Sequence, residues 1–367
     1  MKTINNFSLL LLLSASIISC SKEENSTDDK DNSPKTFTEL KTEANTNLEN
    51  VMLQMSLQNI TDPTQIGNFD FETPKKLYEA LALQNSSDPD VRVSLGLCQM
   101  LSLYADPVFK SYLNDMKANG LISNSGDVPK LNVSFLPFNM MSVVSQEVIV
   151  NSILLMIQKG YEDPAGTETL QTYFRTTIIP KLTQAIDNFE YVEKISSPAS
   201  EYQYALTGKM MGNSSFPNQY MDNAEFFLMD SYLEYLKANL SLYAIIDFKN
   251  SDLSEIPIDS LNTDDVNSIL VLLSGKLKTY PYADQYAQLF ADNLTASVDD
   301  ILNSLKYLQT ETDNQNDDVI KKNPNLTAAE ISKYIAQVEE ARALVIAFLE
   351  EWIPVLLGNL PADFPSL

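Results

Sequence analysis

The chain has 367 residues, 44% of them hydrophobic and 20% charged, with 25 basic against 49 acidic side chains and a net charge of −24. That is enough apolar material for a core and too little charge for general disorder, while the acidity excludes nucleic acid, whose phosphates it repels. There is no histidine, and there are only two cysteines and 10 glycines. This composition excludes Ser-His-Asp and Cys-His catalysis, His- or Cys-based zinc, axial-His haem and a disulfide framework, and argues against glycine-rich β folds and phosphate loops. No cofactor and no metal are expected.

The N-terminus carries the sharpest signal. Lys2 precedes an apolar stretch from Phe7 to Leu13, broken only by Ser8, and the apolar character resumes through Ile18. The stretch is shorter than the roughly 20 apolar residues a spanning helix needs, and reads as a signal peptide over 1–19. It ends in Ile17-Ile18-Ser19-Cys20. This run resembles the bacterial lipobox, with Ile at the position where Leu is preferred. The resemblance implies cleavage before Cys20, a diacylglyceryl group on its thiol, and a new amino terminus open to a third acyl chain. Such chains contribute about 0.8 kcal/mol per buried CH₂, so several give stable anchoring. An ordinary signal peptide with an incidental cysteine is the alternative. Lys22, Glu23 and Glu24 follow, and resemble the surface-export signal of Bacteroidetes lipoproteins; a generic hydrophilic tether is the other reading. Residues 20–35 read as a disordered, lipid-anchored leash with a reach on the order of 20 Å.

From residue 36 to 367 the patterning is helix after helix. Apolar residues at 37, 40, 44, 48, 51, 52 and 55 form one stripe, opened by a capping box of Thr36 and Glu39. Thr73-Pro74, Asp88-Pro89 and Asp106-Pro107 open three more helices, because Pro suits the first helical position. The third of these stops at Asn119-Gly120. After a loop over 121–139, Val148 to Ile157 reads as a buried helix ended by Gly160. A stripe at 170, 174, 178, 182, 186 and 189 is kinked or broken at Pro180. Residues 196–221 are irregular. Asp222 and Glu225 cap a helix to about Asp247, further helices lie near 263–277 and 284–309, and a polar loop covers Asp313 to Lys322. Thr327 and Glu330 cap the last helix, which Pro354 stops or kinks. No window alternates long enough for a convincing strand, so roughly eleven helices in an all-α fold are expected.

Leu77 to Asn85, with Ala80, Leu81 and Leu83, followed by Leu95-Gly96 in the next helix, resembles the closing and opening helices of successive tetratricopeptide repeats. Small Ala and Gly let helices approach and Leu fills the seam. The resemblance implies an array of αα-hairpins. It covers about 30 residues, Asn85 stands where the family has Pro, and an ordinary αα-hairpin accounts for the same residues. Asn223 to Asp230 resembles a segment of repeat-like bacterial lipoproteins, which implies no activity.

The chemistry-bearing candidates are few. Five acidic pairs, Asp264-Asp265, Asp299-Asp300, Asp317-Asp318, Glu339-Glu340 and Glu350-Glu351, read as solvated surface, because adjacent helical residues diverge by about 100°. Asp313 to Asp318 lacks the glycine and distal glutamate of a calcium loop. Cys98 lies in an apolar run and reads as a buried small hydrophobe. Asp259-Ser260-Leu261 resembles the O-glycosylation sequon of exported Bacteroidetes proteins. Ten of the 17 tyrosines fall between 191 and 286, a density that suits either a helix seam or a binding face. Tyr202, Tyr204, Tyr220, Tyr232 and Tyr235 are expected to line a partly exposed groove, and Trp352 to sit in the core. The expected function is non-enzymatic: a lipoprotein facing the cell exterior from the outer membrane, binding a protein, peptide or envelope partner. The alternative is capture of glycan or other nutrient beside an outer-membrane transporter; a single Trp weighs against it. A carboxylate hydrolase has no motif behind it.

Overall fold

A computed structural model describes residues 35–58, 63–118, 162–196, 202–251, 278–310 and 327–357. Within them the fold is overwhelmingly helical: α1 (Phe37–Ser56), α2 (Glu72–Gln84), α3 (Pro89–Ser102), α4 (Pro107–Ala118), α5 (Pro164–Tyr173), α6 (Ile179–Ile195), α7 (Asn223–Tyr243), α8 (Ala283–Thr310) and α9 (Ala328–Leu356). The expected signal peptide, the expected tether apart from Lys35, the expected helices at 148–157 and 263–277, the expected loops at 121–139 and 313–322, the expected Asn119-Gly120 stop and the sequon-like run at 259–261 lie outside the described residues.

The helix starts follow local chemistry. The capping boxes form as expected at Thr36/Glu39, Asp222/Glu225 and Thr327/Glu330. Asp88 caps α3 ahead of Pro89, and Asp106 Oδ1 accepts from the Val108 and Phe109 amides ahead of α4. One start shifts: α2 begins at Glu72, where Asp70 Oδ1 accepts from the Glu72 and Thr73 amides, before the expected Thr73-Pro74. The break at Pro180 takes a specific form. Residues Phe174–Ile178 make a π turn in which the Ile179 amide donates to the Phe174 carbonyl. Pro180 has no N–H and its ring crowds the carbonyl four residues back; the wider turn relieves both problems without ending the helix.

One expectation is corrected within 196–221. β1 (Tyr204–Leu206) pairs antiparallel with β2 (Gln219–Met221), Ala205 opposite Tyr220. Three residues per strand are too few to print an alternating pattern in the sequence.

Packing runs as a succession: α1 on α2, α2 on α3, α3 on α6, α6 on α7, α7 on α8 and α8 on α9, around one continuous apolar cluster. Ser231 Oγ donates to the Ser297 carbonyl and Ser304 Oγ to the Ala224 carbonyl, so α7 and α8 are antiparallel. Arg342 with Asp299, and Ser332 with Gln309, make α8 and α9 antiparallel too. The α6/α7 step differs. Phe189 stacks on Phe226 with ring centroids 6.3 Å apart, and one turn on in both helices Glu193 meets Asp230, so this pair runs parallel. A parallel step needs a return crossover, and the β1–β2 ribbon within the described residues 202–222 lies in that connection. Gly96 makes the α3/α6 step close: a Cβ there would lie 3.0 Å from Phe189 Cζ.

Candidate functional site

The five nominated tyrosines do not share one open face. Tyr204 and Tyr235 are buried, at 6% and 7% exposure. Tyr204 shares a hydrogen bond of 2.9 Å with Ser94 on α3. Tyr202 donates to Asp90 Oδ1 at 2.7 Å, and its ring stacks on Phe226. The Tyr232 hydroxyl meets that of Tyr104 at 2.9 Å. Tyr220 is half-buried in β2. Two of the five turn to α3 and one to the turn after it, and their polar tips mostly hold internal bonds. Trp352 is buried at 1% exposure. Cys98 has no exposed surface, and burial pushes its thiol well above the ordinary range. Cys20, Lys22, Glu23 and Glu24 lie outside the described residues.

Two arrangements emerge that spacing alone did not single out. The first sits at the π turn. Tyr280 and Tyr282 stack with centroids 5.0 Å apart, Tyr286 meets Tyr282 edge-on at 5.7 Å, and the Arg175 guanidinium lies 4.1 Å over the Tyr282 ring. All four side chains are half-buried. The π turn places Arg175 there, and the hydroxyl of Tyr280 donates to Gln171 Oε1 at 3.1 Å. The three tyrosines stand in the tyrosine-rich stretch; Arg175 comes from a different helix, and no spacing links the two.

The second is a set of carboxyls at the α6–α7–α8 junction. Eighteen of the 21 residues of α7 are buried, so the helix has no solvent face on which to place its acids. Asp230 is 1% exposed and Glu234 7%. Both Asp230 oxygens, Glu193 Oε1 and Glu234 Oε2 are buried without a hydrogen-bond donor when the groups are ionised. Asp230 and Glu193 nevertheless lie within hydrogen-bond reach of each other, so one proton held between them satisfies the pair. Burial first, and neighbouring acids second, raise Asp230 well above the carboxylate range; burial takes Glu193 to about 7, Glu234 to about 7 and Asp300 to about 8. This corrects the surface reading of Asp299-Asp300: Asp300 is half-buried beside the set, and Asp299 accepts from Arg342 Nη2 at 3.1 Å. Glu339-Glu340 and Glu350-Glu351 are exposed as expected.

Among the described residues, no three acids or cysteines are grouped to hold a metal ion, and no helix is long and apolar enough to cross a membrane. Compared with known protein families, characterised proteins and solved structures, the chain matches none.

Proposed function

We propose that this chain is a bacterial lipoprotein of the Bacteroidetes type, held in the outer membrane by lipid on Cys20 and displayed to the exterior through Lys22, Glu23 and Glu24. Its domain, 36–367, is a tetratricopeptide-like array of αα-hairpins, about eleven helices in all, that binds a protein, peptide or envelope partner and catalyses no reaction. The observation that carries this reading is the order of signals: a short apolar stretch ending in Ile17-Ile18-Ser19-Cys20, an acidic-flanked polar leash, and then helices. The succession of helix contacts, from α1 to α3, on to α6 and through α9, supports a scaffold of stacked helices. The α6/α7 parallel step departs from strict hairpin alternation. Replacing Lys22, Glu23 and Glu24 with Ala tests display: lipid labelling persists, while protease added to intact cells no longer cleaves the chain. Native protein resistant on whole cells but digested in lysates contradicts the reading.

A second reading, glycan or nutrient capture beside a transporter, is favoured by one feature, the stacked tyrosines with Arg175 at the π turn. A flat aromatic face with a polar rim suits a sugar ring or a peptide. Tyr282→Ala separates the readings. Under capture, glycan uptake by cells falls with the fold intact; under the first reading uptake is unchanged.

A further inference from the structure

The described residues contain one constellation whose groups no fold-level role absorbs, the carboxyls shared by α6, α7 and α8, buried at Asp230 and Glu234 and half-buried at Glu193 and Asp300. We propose that the Glu193–Asp230 pair, backed by Asp300 and Glu234, is a proton-operated latch: with one proton shared, it binds α6 to α7, and without it, like charges push the junction apart.

The argument is geometric before it is electrostatic. Asp230 is all but inaccessible and neither of its oxygens has a donor. An ionised, unpartnered carboxylate in such a place is strongly disfavoured, so the group keeps its proton. Its O–H then has an acceptor in Glu193, across the helix interface. The latch adjoins the Phe189–Phe226 stack, one turn earlier in both helices. The surroundings offer little compensation. Facing from α6 are Asp187, Glu190, Glu193 and Lys194; from α7, Glu234 and Lys237; from α8, Asp292, Asp299 and Asp300. Of the cations, Lys194 is bound to Glu190 and Arg342 to Asp299, while Lys237 on α7 lowers Glu234 by less than burial raises it.

The sign follows from the raised values. The folded state keeps protons that the unfolded chain releases near the ordinary carboxylate range. Stability contributed by these carboxyls is therefore full at acid pH and falls as pH rises through about 7 for Glu193 and Glu234 and about 8 for Asp300, and further as pH approaches the still higher value of Asp230, whose proton closes the latch.

The test is the unfolding midpoint of the purified full chain from about pH 5 to about pH 9, with hydrogen exchange of the last turn of α6 corrected for intrinsic base catalysis. Wild type is expected to lose on the order of 5 °C across the range, with α6 exchange rising in step. Asp230→Asn donates an amide N–H to Glu193 at every pH. It should shrink that loss to less than half and unfold at higher temperature than wild type at the alkaline end. If Asp230→Asn does not fold, Glu193→Gln makes the same prediction. A midpoint that is flat or rises with pH overturns the latch, as does a variant as steep as wild type. So does rescue of the alkaline wild type, but not of Asp230→Asn, by added calcium or spermidine, because the carboxyls then form a cation site.

Discussion

Gln171 on α5 has no exposed surface. Its Nε2 donates to the Tyr243 and Ile246 carbonyls, the latter at 2.8 Å, and its Oε1 accepts from Tyr280. One amide thus finishes the C-terminal end of α7 and ties it to α5 and to the segment leading into α8. Gln171→Leu keeps the volume but strands a half-buried hydroxyl and removes the donor from two carbonyls. It should cost about 2–3 kcal/mol in urea unfolding, against under 0.5 kcal/mol for a change at exposed Gln84. Equal losses at the two positions would contradict the role assigned to Gln171. Cys98 makes a kinetic prediction at the same scale. Its buried, strongly protonated thiol should react with a thiol reagent at neutral pH only as fast as the chain opens. Prompt labelling of the native fold would place it elsewhere.

At the scale of single elements, much of the fold is legible, because helix ends are written by neighbouring residues. Thr36 with Glu39, Asp222 with Glu225, and Thr327 with Glu330 satisfy orphan amides within one turn, and such local exchanges need no knowledge of the rest of the chain. The position of the break at Pro180 is equally local, although its form, a π turn, depends on α5 and α6 both being held by the core. Two features escape this logic. The β1–β2 ribbon is set by the crossover that a parallel α6/α7 pair demands, a tertiary cause. The α3/α6 seam depends on Gly96 meeting Phe189 across about ninety residues of sequence. Overfilling that seam gives a clean prediction: Gly96→Val forces a side chain into the Phe189 ring and should destabilise by roughly 1–3 kcal/mol. The Arg342–Asp299 pair joining α8 to α9 is more than a third exposed. Asp299→Ala should therefore cost no more than about 1 kcal/mol, less in salt. A loss of several kilocalories there would mean that α9 docks by charge rather than by Phe348, Trp352 and their neighbours.

For the molecule as a whole, the decisive fact is that α7 lies inside the array. Read alone, its apolar positions at 226, 229, 233, 236, 240 and 243 form a stripe, and Asp230 and Glu234 fall on what would be the wet face. Burial by α6 on one side and α8 on the other removes that face. The carboxyl set is therefore invisible in any single segment; it appears only when α6, α7 and α8 come together. The tyrosine-rich stretch shows the same limit in reverse: its density is plain in the sequence, but packing divides the residues among interior bonds, the ribbon and the Arg175 cluster. The proposed function rests on the N-terminal motif rather than on this interior, and the claim that most needs testing is lipid attachment at Cys20. The measurement is metabolic labelling with a radioactive fatty acid, followed by membrane fractionation, of wild type and Cys20→Ser. Wild type should carry label and sediment with the outer membrane, while Cys20→Ser should carry none and be released as soluble protein. Unlabelled wild type, or a Cys20→Ser chain that keeps both label and membrane attachment, would contradict the account.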